Sequence, residues 1–334
     1  MAGTPDKLKS VQQHNLSMIA LAIARPAQSP QVVLGCSDFK IYQVDPRASK
    51  LTLKEIGKHE SYVTGLGVSG DTLISGGYDG RLNWWALDKV GAPLRSVEAH
   101  TRWIRNVAVS PTGQVVASVA DDMSCKLHDV KTGRLLHDLR GHKERTPNHF
   151  PSMLYACAFS RDGKLLATGD KVGHIVVWDV ASGKEVSTLE SPGMYTWDGR
   201  QRIHSIGGIR SLAFSPDGKQ LAVGGIGKIG NIDHLDGPAR VEVFDLASGK
   251  STHLFEKMKF KGLINRLEFD PQGNWLLGAG GAGNGVLVFL DLKKNAILKE
   301  ENVKFHVHGM LLNDASDTVV AAGHHGLAVY EFKS

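Results

Sequence analysis

The chain has 334 residues, of which 42% are hydrophobic, enough to bury the core of one large β domain or two ordinary domains. Its 39 basic and 34 acidic residues leave a net charge of +5, too mild for a protein whose main role is to coat phosphate backbones. Three widely spaced cysteines, Cys36, Cys125 and Cys157, argue against a disulfide framework or a zinc site.

The first apolar run, within "LSMIALAIAR", follows a polar segment and is predicted to be a strand rather than a signal peptide. No apolar run approaches the about 18 residues that a membrane helix needs. We therefore expect a soluble, cytoplasmic protein with no membrane contact.

The stretch "LAFSPDGKQLAVGG" at 212–225 predicts a hairpin: two apolar runs flank a Ser-Pro-Asp-Gly turn. The same pattern recurs along the chain at 66–77, 107–120, 157–170, 267–280 and 310–323. About ten residues after each copy comes a third apolar strand, and a short fourth strand follows most of them. Each unit is therefore predicted to be four antiparallel strands, named a to d in chain order, with no convincing helical periodicity anywhere.

The third strand of each unit carries an aromatic residue or a histidine in its place: Tyr42, Trp85, His128, Trp178, Phe244, Phe289 and Tyr330. Most successive positions are 41–45 residues apart, and two steps are longer. Apolar residues at successive positions, as in "HIVVW", indicate that both faces of a sheet are covered, as in sheets stacked around an axis.

The motifs "GH" at 141–142, "WD" at 178–179 and "FSPDG" at 214–218 resemble those of the WD-repeat β-propeller family, over essentially the whole chain. The resemblance implies an all-β, seven-bladed β-propeller of four-stranded antiparallel sheets, in a single domain over 1–334. It also implies that residues 7–13 close the ring as the outer strand of blade seven. The blades are expected at approximately 15–57, 58–99, 100–141, 142–190, 191–256, 257–301 and 302–334.

Blades of this family often hold a buried chain of His, Ser or Thr, Asp and Trp, and only blade two matches at all four positions. These residues are His59, Ser75, Asp79 and Trp85. In blade three, His100, Ser118 and Asp122 match, and His128 stands at the Trp position. In blade four, His142, Thr168 and Trp178 match, and Val172 stands at the Asp position. We assign structural roles to these residues.

Three insertions interrupt the repeat: 143–152, 191–208 and 226–239. They lie in d–a or b–c connections, which emerge on one face of a propeller, so we predict a partner-binding surface there. Its aromatic and arginine side chains are typical of protein interfaces. The predicted partner-binding residues are Arg145, His149, Tyr195, Trp197, Arg200, Arg202, His204, Lys228, Asp233 and His234. The alternative is that these loops only pack on one another.

Two other functions stay open. An anionic ligand or a nucleic acid could bind through Arg145, Arg200, Arg202 and Lys228, with steep dependence on salt. An enzyme could use a site among His149, His204, His234 and Asp233, provided that these side chains converge in a pocket.

Other motifs carry less weight. "GIGKIG" at 225–230 and "GAGGAG" at 278–283 match the dinucleotide pattern but lead towards strands, so both are predicted to be flexible hairpins. The basic run "KMKFKG" at 257–262 is typical of a solvated edge.

Four histidines, His306, His308, His324 and His325, gather in the last unit. A transition-metal site there is conceivable, but hydrogen-bonded polar residues near the channel are favoured. We therefore predict no metal and no cofactor.

No G-x-S-x-G or H-E-x-x-H motif is present, and we predict no catalytic residues. The favoured function is a non-catalytic scaffold or adaptor that binds other proteins or peptides, rather than nucleic acid. It would be monomeric by itself within a larger complex, and its binding face would extend to Trp103 and Arg105.

Overall fold

In the computed structural model, which describes residues 4–200, 202–232 and 235–332, the chain folds into antiparallel β-sheets. Five sheets have four strands, one has six, and a two-stranded ribbon stands apart. In these residues the only helices are two 3₁₀ turns, Pro5–Lys7 and Pro192–Met194. None of the helices found there is long and apolar enough to cross a membrane.

The strands in chain order are β1 Leu8–Ala24, β2 Val32–Cys36, β3 Lys40–Val44, β4 Lys54–Lys58, β5 Val63–Ser69, β6 Thr72–Gly77, β7 Arg81–Ala86, β8 Arg95–Glu98, β9 Ile104–Val109, β10 Val115–Ala120, β11 Cys125–Asp129, β12 Leu135–Leu139, β13 Leu154–Phe159, β14 Leu165–Asp170, β15 His174–Asp179, β16 Glu185–Glu190, β17 Tyr195–Asp198, β18 His204–Gly207, β19 Ile209–Phe214, β20 Gln220–Ile226, β21 Ala239–Asp245, β22 Ser251–Phe255, β23 Leu263–Phe269, β24 Leu276–Gly281, β25 Gly285–Asp291, β26 Ala296–Val303, β27 Val307–Leu312 and β28 Thr318–Phe332. The four-stranded sheets are β5 to β8, β9 to β12, β13 to β16, β19 to β22 and β23 to β26, each in chain order.

The six-stranded sheet has the order β27-β28-β1-β2-β3-β4 and contains both ends of the described chain. Residues 8–15 of β1 pair with 326–332 of β28, and the second half of β1 pairs with β2. The prediction of seven separate four-stranded sheets is therefore wrong in its count, since six large sheets are present. The reason is that β1 and β28 each continue without a break from one expected blade or hairpin strand into the next.

Both faces of the inner strands are covered, as the runs of apolar residues predict. All five residues of β2 are buried, and so are the four central residues of β15. Neighbouring sheets interlock: Trp84 on β7 packs against Ile104 and Val116 of the next sheet, and its Nε1 donates to the carbonyl of Val130 at 2.9 Å. Burial of such side chains between sheets is the main source of stability.

The buried polar chain that the resemblance implies is present in the sheet β5 to β8. His59 Nδ1 donates to Asp79 Oδ2 at 2.8 Å, and Ser75 Oγ donates to His59 Nε2 at 2.6 Å. Trp85 Nε1 donates to the same Ser75 oxygen at 2.7 Å. Burial raises the pKa of Asp79, but hydrogen bonds from His59 and from backbone amides outweigh it and leave this pKa below its usual value.

In the next sheet, His100 contacts Asp122 at 3.0 Å and Ser118 at 2.8 Å, while His128 is buried at the Trp position. Burial lowers the pKa of His128 to about 4, so this imidazole is neutral at physiological pH. The histidine fills the volume without a charge.

The sequence-based assignment for blade four is wrong at one position, because Asp170 rather than residue 172 provides the carboxylate. His142 Nδ1 lies 3.0 Å from Asp170 Oδ2, and the other carboxylate oxygen accepts the amides of Val172 and His174. His142 Nε2 contacts Thr168, which also accepts from Trp178 Nε1 at 2.9 Å. The aspartate sits at the end of β14 and reaches the same histidine from there.

We predict that Ser75→Ala lowers the free energy of unfolding by about 1–3 kcal/mol, because it leaves His59 and Trp85 without a buried partner. The control is Ser49→Ala at an exposed position, with an expected change within about 0.5 kcal/mol. Urea titrations followed by tryptophan fluorescence measure both. Equal effects of the two substitutions would contradict a stabilising role for the chain.

A buried carboxyl group joins two neighbouring sheets. Glu268 on β23 accepts the backbone N–H of Leu312 on β27 at 3.1 Å. Burial raises the pKa of Glu268 to about 7; Asp314 raises it further, while the hydrogen bond from Leu312 and the charge of Arg25 oppose the shift. The folded chain therefore keeps this proton to a higher pH than the unfolded chain does.

We predict that Glu268→Gln stabilises the fold more at pH 8 than at pH 5. Between an unfolded pKa near 4.5 and a folded pKa near 7 the native state binds the extra proton, so the wild type loses stability as the pH rises. Glutamine stays neutral and avoids this loss. Thermal melts at several pH values test it, with exposed Glu185→Gln as the control; a pH-independent difference would refute it.

Candidate functional site

The inner strand of each repeat carries a β-bulge close to its first residues, and the extra residue interrupts the register with the second strand. The bulged residues are Leu21, Thr64, Arg105, Tyr155, Arg210, Asn265 and His308. A bulge turns one side chain away from the regular alternation of the strand. The same device therefore aims one side chain per repeat in an equivalent direction.

All seven bulged residues line one cavity of about 260 Å³, together with Tyr78, Asn106, Leu263 and Arg266. The bulges lie at the strand ends that meet the connections between sheets. We call the surface formed by those connections and by the turns between second and third strands the connection face. The cavity is therefore next to that face.

The cavity is positively charged. Arg105 is neutralised by Asp121, with Nε–Oδ1 at 2.8 Å and Nη2–Oδ2 at 2.6 Å. Arg210 and Arg266 make no ion pair with any carboxylate in the described part of the chain, and Nη1 of Arg210 is buried without a hydrogen-bond partner there. Since buried cations normally have partners, this arrangement favours an anionic group in the cavity.

Aromatic rings hold these guanidinium groups. The carbon Cζ of Arg210 lies 3.7 Å from the centre of the Tyr155 ring. Arg105 lies over both Tyr78 and Trp103, at 5.0 and 5.2 Å, and its Nη1 donates to the Tyr78 hydroxyl at 2.7 Å. Cation–π contacts of this kind fix the position of an arginine without cancelling its charge.

A row of aromatic side chains follows the connection face beside the cavity. Trp103 stacks on Tyr78 with ring centres 4.5 Å apart, Tyr78 contacts Tyr62, and Tyr62 contacts Phe39. Phe39, Tyr62 and Trp103 are 40%, 42% and 50% exposed. Sequence reasoning singled out only Trp103 and Arg105 here, because the row joins side chains from three different sheets.

The structure brings the three insertions together. The hydroxyl of Tyr195 donates to Asn148 at 2.9 Å, and the Trp197 ring lies 5.2 Å from Phe150. The backbone of Ile229 donates to Thr196 at 3.0 Å. The second insertion also contains the β17–β18 ribbon, which the sequence analysis treated as irregular. Packing of the loops on one another is thus present, and it creates one continuous surface.

The predicted partner-binding residues occupy this surface unequally. Tyr195 and Trp197 are half-buried by the contacts above, and Arg145 donates from Nη1 to the carbonyl of His149 at 2.7 Å. The exposed members are Arg145, His149, Arg200, Arg202, His204 and Lys228. Asp233 and His234 lie outside the described residues.

The residues of the enzyme alternative are not assembled in the described part of the chain. His149 and His204 are both exposed on different insertions, and no hydrogen bond or ring contact joins them there.

The two glycine-rich motifs do not form phosphate-binding turns. In the second, residues 278–281 belong to β24 and run directly into the hairpin with β25, so most of it is strand rather than flexible loop. The first ends β20 and continues as a loop, and no helix follows either motif among the residues described. In the basic run, the backbone of Lys259 donates to the Glu300 carboxylate at 2.9 Å.

Three of the four clustered histidines meet beside the cavity. One ring nitrogen from each of His306, His308 and His324 lies within 4.8 Å of the others, while His325 contacts the carbonyl of Leu16 instead. Burial lowers the pKa of His306 to about 4 and that of His308 to about 3, and their mutual repulsion adds to this effect. The expectation of separate hydrogen-bonded polar residues therefore missed a compact cluster.

Comparison with known proteins agrees with this architecture. The family description "WD domain, G-beta repeat" matches residues 51–86, 91–129, 133–179 and 200–228. The beta chain of a guanine nucleotide-binding protein from Oryza sativa subsp. indica is 30% identical over 152 residues, 46% of this chain and 37% of that protein. The present chain thus covers little more than a third of this relative's length.

Two further relatives share longer segments. The WD-repeat component of chromatin assembly factor 1 from Mus musculus is 25% identical over 241 residues, 63% of this chain and 39% of that protein. WD repeat-containing protein VIP3 of Arabidopsis thaliana is 27% identical over 200 residues, 60% of this chain and 56% of that protein. Together with the repeated sheets and their buried histidine chains, these matches place the chain in the WD-repeat family, to which it belongs.

Proposed function

We propose that this chain is a non-catalytic scaffold that binds a partner protein on its connection face and takes an acidic side chain of that partner into the central cavity. The observation that carries the proposal is the pair Arg210 and Arg266, which line the cavity and form no ion pair within the described residues. A bidentate hydrogen bond to a carboxylate would satisfy the buried Nη1 of Arg210.

The surroundings of the cavity support a protein partner. On one side lies the exposed row of Phe39, Tyr62 and Trp103, and on another lies the surface of the three insertions with Trp197 and Arg200. Aromatic and arginine side chains carry most of the binding energy in protein interfaces. A nucleic acid would instead favour a longer stripe of cations than the net charge of +5 provides.

The relatives support the same class of function. Two of them are named as members of assemblies, one of a guanine nucleotide-binding protein and one of a chromatin assembly factor. We extend from this that the present chain works as a monomer within a larger complex. A cytoplasmic location remains part of the proposal.

For the architecture we propose a single domain of seven blades, with the six-stranded sheet counted as two of them. Its β27, β28 and residues 8–15 would form blade seven, and the rest of β1 with β2 to β4 would form blade one. The seven bulges, one per inner strand, support this division. In it, the pairing of 8–15 with 326–332 closes the ring.

To test the binding function, a phage-displayed random peptide library is selected against the purified chain. We predict enrichment of peptides with Asp or Glu, whose synthetic forms bind with a Kd measurable by fluorescence anisotropy. Arg210→Gln should weaken their binding by at least about 10-fold, because a carboxylate in the cavity then loses its charged partner. Replacing Trp197 and Arg200 by Ala should weaken peptides that extend over the insertions, with the melting temperature nearly unchanged.

The matched control is Arg134→Gln, an identical change of charge at an exposed residue in the turn between β11 and β12, away from the connection face. It should leave peptide affinity unchanged. Equal losses in Arg210→Gln and Arg134→Gln, or no selection of acidic peptides, would contradict the proposal. Tighter binding of a single-stranded oligonucleotide, with a steep salt dependence, would favour the nucleic-acid alternative.

A further inference from the structure

The histidines beside the cavity come from two neighbouring strands. His306 directly precedes β27, His308 is the bulged residue of that strand, and His324 lies within β28. Their rings are in mutual contact, with centre-to-centre distances of 4.6 Å for His306–His308, 4.8 Å for His308–His324 and 5.3 Å for His306–His324.

The backbone fixes this arrangement. The amide of His324 donates to the carbonyl of His306 at 3.0 Å, and Val307 pairs with Gly323 in the ladder. The two-residue spacing places His306 and His308 on one side of the strand. Only side-chain rotations therefore separate the observed cluster from any arrangement in which the three rings share a ligand.

We propose that His306, His308 and His324 form a binding site for one divalent transition-metal ion that prefers imidazole ligands, such as Zn²⁺ or Cu²⁺. Sets of three histidines occur in metal sites that keep a further coordination position open. Metal–nitrogen bonds of about 2.0–2.1 Å place two tetrahedral ligands about 3.3–3.4 Å apart. The ring nitrogens, which already lie within 4.8 Å of one another, need only small rotations to reach that spacing.

An unpartnered nitrogen points to a missing ligand. Nε2 of His308 is buried and has no hydrogen-bond partner among the described residues. Buried polar atoms are nearly always paired, so an orphan in a cluster of imidazoles needs an explanation. Coordination of a metal ion by this nitrogen would supply the partner.

The surroundings of His306 orient it for coordination. The side-chain amide of Asn265 donates to Nε2 of His306 at 2.8 Å, which leaves this nitrogen as the acceptor, and a hydrogen bond to the backbone of Ala282 holds the ring from its other side. Metal-bound histidines typically use their second nitrogen in this way. The metal would replace the Asn265 amide at Nε2.

One charge opposes the site. Arg266 acts on His308 and disfavours a nearby cation, and the cluster contains no carboxylate among the residues described. An anionic fourth ligand, hydroxide or a carboxylate, would offset this repulsion. The ion is therefore expected to be one that binds imidazole strongly, rather than Mg²⁺ or Ca²⁺, which prefer oxygen ligands.

The experiment uses untagged protein treated with EDTA and then titrated with Zn²⁺ by calorimetry and with Co²⁺ by visible absorption. One ion should bind per chain, and Co²⁺ should give the strong absorption of a tetrahedral complex. His324→Ala should weaken Zn²⁺ binding by at least about 10-fold, as should His308→Ala. His325→Ala, the chain neighbour that lies outside the cluster, should change it by no more than about twofold.

His324 is exposed, so its replacement tests the site without disturbing the core, and melting curves in EDTA verify folding of each variant. If His308→Ala does not fold, His324→Ala and His306→Asn decide the question. The proposal is overturned if the wild type binds no stoichiometric Zn²⁺, or if His324→Ala and His325→Ala bind it as tightly as the wild type. The outcome does not depend on any peptide ligand.

Discussion

The pairing of the first strand with the last is the interaction on which the rest of the structure depends. Sheets that are apolar on both faces need a neighbour on each side, and this pairing brings residues 8–15 against 326–332. Leu8 is buried there among side chains of two sheets, including Trp275 and Phe289. Without it, β28 would keep an open edge and the Leu8 cluster would lose its cover.

Within that frame, the bulges of the inner strands connect the fold to its proposed functions. Each bulge adds one residue at an equivalent place and directs its side chain into the shared cavity. Because the backbone is repeated, the chemistry of the cavity is decided by which residue each repeat carries there. In this chain two of those residues are arginines and another is His308, so a site for anions and a histidine cluster lie side by side.

The sequence allows prediction where the signal is local. The strands, the family and the chain of His59, Ser75, Asp79 and Trp85 follow from turn residues and fixed spacings. Asp170 was missed because a carboxylate two residues earlier can reach the same histidine. The bulges and the histidine cluster depend on register between strands, and the contacts between insertions depend on packing; neither leaves a periodic mark on the chain. Only the two-residue spacing of His306 and His308 hinted at the cluster.

Native-state hydrogen exchange of the amides in 8–15 and 326–332 tests the central claim most directly, namely that the two ends of the chain are held as firmly as the core. The account predicts that these amides exchange only through global unfolding, with the same free energy of opening as the amides of the central strand β14. Exchange through local fraying, at free energies far below that of β14, would contradict it, since the terminal pairing would then be an accessory rather than the closure of the structure.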